Sequence, residues 1–535
     1  MRGVISAGDA ETAATGAAIL RKGGNAVDAA VAAAFASFIA EIGFVHLGGS
    51  GLAQVFKPGN GDRDTNPVVY DFFSPMPGIG RSGLPDPLDF QKVTVDFGPT
   101  TQDFYLGRGS VAVPGNIAGL CILSSENGRL PLSTLLEPAI KLAREGFNLS
   151  DFQAANCELL RPMYTYTAGM RQIFNKNGRL ILPGESLFIP HLAQTLEELA
   201  RNGEIYARSG PLAQAIVADQ EEHGGLITSA DLEQFEVARH KAISVQYREY
   251  EVLLPPPSSI GGVLTAFTLN LLGHFEVGKY RHHSAEHLQL LFEVMAATTR
   301  ARPVWDSLSG EYASDEALAY FLHPSFVGRY VDEVKSALSG DTNFPVLSEP
   351  TPRPDTSHIS VIDGEGLAVS LTTTAGESAG YVVPGTGLIP NNILGEEDLH
   401  PAGFHILPPG QRINTMMTPT IVLCDGTIRL VVGSGGSIRI RSAIMQVLSN
   451  LLDFRMKLDP AVNLARVHLE SGVFHCEHGV DPEAMSKLES MGYKLNRWDR
   501  RSIYFGGAHS VSRTPSGRLV AAGDNRRGGS IEVVD

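Results

Sequence analysis

The chain has 535 residues, 43% hydrophobic and 19% charged, with 57 glycines and 32 prolines, the make-up of a large globular protein with many tight turns. A formal charge of -15, with no basic run longer than a few residues, argues against nucleic acid as a partner, because phosphate binding draws on clustered Lys and Arg. Cys121, Cys157, Cys424 and Cys476 are far apart and match no CxxC pattern, so neither a disulfide framework nor a zinc ribbon is expected.

The opening "MRGVISAGDAETAA" has no charged region followed by an apolar one, so the expected location is cytoplasmic, with export by another route left open. Asp9 is placed to cap a helix running to about Lys22, ended by Gly23-Gly24, and Asn25 to cap a second from Ala26 to about Ala40. Asp28 and Glu41 interrupt this apolar stretch, and its Ala-rich composition suits a packed core helix better than a bilayer span. No membrane segment is expected. "LGGSGLAQVF" and "NPVVYDFF" read as strands, and the middle of the chain to about Ser339 reads as mostly helical.

Between Pro345 and Pro354 recurring prolines remove backbone donors and favour an extended, exposed linker. Beyond it, "HISVIDGEGLAVSLTTT", "MTPTIVLCDGTIRLVVGS" and "HSVSRTPSGRLVAAGD" read as hairpins turned at Asp-Gly or Ser-Gly, with a helix in "RSAIMQVLSNLLDF". This order predicts an α+β fold of stacked sheets between helices. The linker delivers Asp355 and Thr356 to a strand start. A threonine with a free α-amino group carries nucleophile and base together, since an amine of ordinary pKa about 8 sits within reach of its own hydroxyl. Such a residue must be exposed by cutting the chain, and the junction offers that access between Asp355 and Thr356.

"TSHISVIDGEGLAVSLTTT" resembles the strand that opens the small subunit of the gamma-glutamyltranspeptidase family, self-cleaving N-terminal-nucleophile hydrolases. Further similar segments follow in family order, among them "RKGGNAVDAAVAAAFA", "VAVPGNIAGL", "PPPSSIGGVLTAFTLNLL", "GTGLIPNNILGEED" and "VVGSGGSIRIRSAIMQVLSNLLDF". The resemblance implies a four-layer αββα sandwich forming one intertwined domain, cut from one precursor into a large subunit, residues 1–355, and a small subunit, 356–535. It implies Thr356 as nucleophile and Thr374 as the hydroxyl that assists it, with Ser357 and His358 completing the opening triplet. "GSGGS" matches the oxyanion-hole segment, where glycine lets the backbone approach a reacting carbonyl. Matching favours Gly436 and Ser437 for the two N–H groups, and chemistry favours Gly435 and Gly436.

For substrate binding the resemblance points to Asn392, Glu396, Thr415 and Arg81, but the pattern thins here. Gly376 stands where the family has a polar residue, Ile393 follows Asn391-Asn392 in place of Gln or Glu, and Met416 replaces one of paired serines. Losing one hydrogen bond to a charged group costs about 1.5 to 3 kcal/mol, so several such changes can erase glutamate-like recognition while leaving catalysis intact. The leading expectation is an autoprocessed gamma-glutamyltransferase or hydrolase acting on gamma-glutamyl or related small-molecule amides such as glutathione. The alternatives are an acylase of non-glutamyl specificity and a non-cleaving protein that binds a small anionic or peptide ligand. No cofactor is implied, and a homo-oligomer is left open. "LGGSGL" falls short of the Gly-x-Ser-x-Gly elbow because Leu52 takes the last position, so Ser50 is expected to be a turn residue. His283 with His287 and His475 with His478 lack the carboxylates of a metal site, and none is expected.

Overall fold

Strand β1, Gly3–Ala7, leads into helix α1, Ala10–Arg21, and helix α2, Ala26–Ala40. Asp9 caps α1 by accepting from Glu11 N, and Asn25 with Asp28 forms a reciprocal capping box on α2, so both helices start where side-chain oxygens meet otherwise unpaired N–H groups. The computed structural model describes residues 2–59, 67–96, 101–311, 314–341, 344–347, 355–400 and 403–535. Most of the proline linker expected between Pro345 and Pro354 lies outside them.

The strands that follow are β2, Ser50–Phe56; β3, Val68–Phe72; β4, Ala238–Lys241; β5, Ile243–Tyr247; and β6, Tyr250–Leu254. Helices α3, Ile260–Leu272, and α4, Ala285–Glu311, come next. The expected hairpins are all present: β7, Asp355–Asp363, with β8, Ala368–Gly376; β9, Thr420–Cys424, with β10, Thr427–Val432; and, after helix α5, Arg439–Leu452, β11, Ser510–Arg513, with β12, Leu519–Ala522. Strand β13, Ser530–Val534, pairs back onto β1.

A seven-stranded sheet runs in the order β4-β3-β2-β8-β7-β1-β13, and a six-stranded sheet in the order β5-β6-β9-β10-β11-β12. Strand alternation sorts the side chains into layers. Val4, Ile362, Ala368, Leu253, Ile421 and Val431 meet between the sheets. Their neighbours Ile5, Val361 and Val369 face α1 and α2, while Val252, Leu254, Val422, Leu430 and Val432 face α3, α4 and α5. The result is a four-layer αββα arrangement within an α+β fold. Both sheets are covered on both faces, which explains why β7 and β8 read as nearly continuous runs of buried residues. Ser50, expected in a turn, instead opens β2, where it lies opposite Thr374 and its hydroxyl meets Ser74 Oγ at 2.6 Å. Among the described residues no helix is long and apolar enough to cross a membrane.

Near the C-terminus Asp524 is fully buried and gathers Arg466 at 2.6 Å, Arg526 at 3.1 Å, and the N–H groups of Ala508 and Arg526. Burial alone would raise its pKa, but the two guanidiniums and the backbone donors outweigh that and hold it below the ordinary 3.8. The stabilisation it supplies is therefore present at neutral pH and is lost as pH falls below the unfolded-state value. Asp524→Asn, which leaves two buried guanidiniums short of a counter-charge, is expected to destabilise the fold by about 3 to 5 kcal/mol, read as a lowered denaturant midpoint at pH 7.

Candidate active site

Thr356 lies one residue inside β7, where the pairing with β8 slips: Asp355 faces Gly376 while Ser357 faces Thr373. The extra residue on β8 makes a bulge, a device that re-aims side chains at the end of a ladder. Thr356 and Thr374 both line one pocket beside it, together with Gly376, Glu396, Thr415 and Ser437. Phe73, Ile393, Leu399, Met416, Met417 and Ile440 form its apolar wall. Thr374 Oγ1 accepts from Gly376 N at 3.1 Å, and Thr415 Oγ1 accepts from Met417 N at 3.2 Å, so each hydroxyl is held in place by the backbone two residues on.

The "GSGGS" segment crosses from the end of β10 to the start of β7. A Cβ on Gly433 would fall 2.3 Å from the His358 ring, and one on Gly435 would fall 2.2 Å from the Thr356 carbonyl oxygen. Gly436 has φ +112°, a conformation that side chains disfavour, and Ser437 follows at φ +50°. Arg439 N donates to Gly436 O and Ile440 N to Ser437 O, so the segment turns directly into α5. The structure thus brings Gly435, Gly436 and Ser437 to Thr356 as a group.

Asn392 and Glu396 crowd the far side of Gly376, where an added Cβ would fall 2.4 Å from Asn392 Oδ1 and 2.1 Å from Glu396 Oε1. Asn392 Oδ1 accepts from Glu377 N at 2.7 Å and Ser378 N at 3.2 Å, which makes it a brace for the β8 exit, and it is not among the pocket-lining residues. Arg81 is also outside that lining. Its Nε donates to Leu226 O at 3.0 Å, which ties it to a loop whose Leu226 packs in the same apolar cluster as Phe73, Ile393 and Met417. Asp355 enters the site through its backbone pairing with Gly376.

His358 is fully buried between Thr372 Oγ1, 2.8 Å from Nδ1, and Ser360 Oγ, 2.9 Å from Nε2. Burial, with a smaller contribution from His509, pushes its pKa well below the usual 6.5, so it serves as a neutral hydrogen-bonding strut. His283 donates its backbone N–H to His287 Nδ1, and no group of three or more metal-binding side chains occurs among the described residues.

Two residues at the site carried no motif. Glu41, in sequence only an interruption of an apolar run, caps the C-terminus of α2 and accepts from Ser357 Oγ at 2.5 Å and Thr12 Oγ1 at 2.8 Å. Arg527 lies against the glycine segment, its Nη1 3.1 Å from where a Gly435 Cβ would be, with its guanidinium 5.3 Å from the Phe44 ring. An acid interrupting an apolar run just past a helix end was the available signal for Glu41. Arg527 had none beyond its place in "DNRRGG".

The family model for gamma-glutamyltranspeptidase matches residues 12–534. An acylase ACY 1 proenzyme from Pseudomonas sp. (strain SE83) is 32% identical over 540 residues, covering 97% of this chain and 91% of that protein. A glutathione hydrolase proenzyme from Escherichia coli (strain K12) is 29% identical, covering 98% and 90%. Among solved structures, the cephalosporin acylase from Bacillus halodurans shares the fold with a TM-score of 0.81 at 24% identity, over 100% of this chain and 96% of that one. With the fold and the family match over nearly the whole chain in agreement, the chain belongs to the gamma-glutamyltranspeptidase family.

Proposed function

We propose that the chain is a proenzyme that cuts itself before Thr356 and then acts as an N-terminal-threonine gamma-glutamyltransferase or hydrolase on gamma-glutamyl or related amide bonds. The observation that carries this is the placement of Thr356 at the bulged start of a central strand, sharing a pocket with Thr374 and Ser437, with Gly435 against its own carbonyl. The names of the relatives as proenzymes support a cut precursor.

In the scission, Thr356 Oγ1 attacks the Asp355 carbonyl carbon, the peptide C–N bond breaks, and the nitrogen takes the proton the hydroxyl gives up. Water then hydrolyses the resulting ester, leaving an Asp355 carboxylate and a free Thr356 amine. In turnover the same oxygen attacks the substrate amide while the amine accepts its proton and passes it to the leaving nitrogen. The acyl ester on Thr356 is released by water or by an acceptor amine. Backbone N–H groups from Gly435 to Ser437 are the candidates for stabilising the oxyanion, and Thr374 for hydrogen bonding to Oγ1.

A second acyl specificity is favoured by Ile393 and Met416 in the pocket wall, which offer an α-amino or α-carboxylate group no hydrogen bond. Glu396 and Thr415, which line the same pocket, are the candidates for polar contacts with a glutamyl group.

Mass spectrometry of purified protein is expected to show two chains, the second starting at Thr356, and Thr356→Ala a single uncut chain; an uncut wild type on long incubation counts against the proposal. Gly435→Ala is expected to slow scission and turnover by about 100-fold or more, because the methyl displaces the segment from Thr356. Gly83→Ala, where an added Cβ meets nothing within 4 Å, is expected to match the wild type. Met416→Ser is expected to raise kcat/KM for γ-glutamyl and glutaryl anilides about tenfold over that for a butyryl anilide, which lacks the carboxylate, by giving that carboxylate a second hydroxyl.

A further inference from the structure

Behind the nucleophile lies a buried polar cluster that the reaction scheme above does not use. Glu41 is 3% exposed and accepts hydroxyl hydrogen bonds from Ser357 on β7 and Thr12 on α1. The fold makes room for its carboxylate: a Cβ on Gly8 would fall 2.3 Å from Glu41 Oε2. The cluster extends through Asp9, the α1 cap, whose Oδ2 accepts from Gln153 Nε2 at 2.6 Å; the same nitrogen donates to Ala40 O, next to Glu41. Thr356 and Ser357 thus face opposite ways, Thr356 into the pocket and Ser357 into the seam between α1, α2 and the sheet.

Scission changes what holds Thr356. Before it, the residue is tethered on both sides; after it, Thr356 is a chain end, and chain ends fray unless something ties them down. We propose that Glu41 is a positioning residue for the acyl-transfer reaction: by holding the Ser357 hydroxyl it fixes the strand end that bears Thr356, keeping the freed amine aligned with Thr356 Oγ1. This inference rests on the self-scission and threonine chemistry proposed above.

The charges around Glu41 make the tie sensitive to pH. Burial, aided by Asp9, raises its pKa to about 7, against the opposing effects of the Ser357 and Thr12 hydroxyls and of Arg527. Between the ordinary 4.5 and about 7 the folded protein keeps a proton that the unfolded chain has lost, so this group lowers stability as pH rises through that window. A carboxylate kept at such a cost beside a nucleophile fits a functional role. Ionised, it accepts both hydroxyls in charge-assisted bonds; protonated, it loses that strength and the strand end slackens.

The test compares wild type, Ser357→Ala, Ser357→Thr and Glu41→Gln as self-cleaved proteins, measuring hydrolysis of γ-glutamyl and glutaryl p-nitroanilides from about pH 5 to about pH 9. The expected result for Ser357→Ala is a kcat lowered about tenfold or more with KM within about twofold, and Ser357→Thr restores it. The wild-type acid limb is expected to show two ionisations, one near pH 7, and both Ser357→Ala and Glu41→Gln to retain only that of the amine. Wild-type kcat and pH profile in Ser357→Ala would overturn the positioning role even if Glu41→Gln fails to fold. A lowered melting temperature and kcat with an unaltered pH profile would also overturn it, by assigning the pair to fold maintenance. A wild-type protein that stays uncut, or that cuts and hydrolyses neither anilide, overturns the proposed function instead.

Discussion

The site depends on one close approach between the two sheets. Backbone from the end of β10 lies against the start of β7, with Gly433 on the His358 ring and Gly435 on the Thr356 carbonyl, in space that any side chain on those glycines would occupy. Stacked sheets normally keep about 10 Å apart because their side chains interdigitate. Removing the side chains from one short segment lets main chain reach main chain, and only then can amide N–H groups stand beside a threonine in the opposite sheet. The bulge in β7 and β8 and the turn of Gly436 and Ser437 into α5 both serve this contact.

Around that approach the inter-sheet layer changes from apolar to polar. Val4, Ile362 and Val431 fill its middle, whereas toward the site Ser360 donates to His509 O and Ser370 to Val432 O. Hydroxyls here do for the sheets what apolar packing does elsewhere, at the price of needing every partner in place. The Asp524 cluster braces the same end from outside. It holds the turn that carries Arg527 through a hydrogen bond from Arg527 N to Asp524 O, and Arg527 in turn packs on Gly507, which bridges to Gly435.

Local chemistry made much of this legible in the sequence. Asp9 and Asn25 announced their helices because capping is a short-range matter, and Asp425-Gly426 and Ser516-Gly517 announced hairpins for the same reason. The glycine run was visible too, since close backbone approach demands glycine, and so was the threonine at the strand start. Asn392 and Arg81 were less legible. A polar side chain near a motif can brace the backbone as readily as bind a ligand, and the bracing contacts, Asn392 Oδ1 with Glu377 N and Ser378 N and Arg81 Nε with Leu226 O, are fixed by tertiary placement that no local pattern encodes. Glu41 was invisible as a partner of Ser357 because 316 positions separate them, and nothing in either local pattern encodes such a meeting.

The order of strands has a mechanical meaning. In the larger sheet β2, from the first part of the chain, is bonded to β8, from the last, and β1 is clasped between β7 and β13; in the smaller sheet β6 joins β9 across the same divide. Opening the backbone ahead of Thr356 would therefore free an end without freeing a piece. The two polypeptides would stay woven like warp and weft, and pulling them apart would mean unravelling both sheets at once.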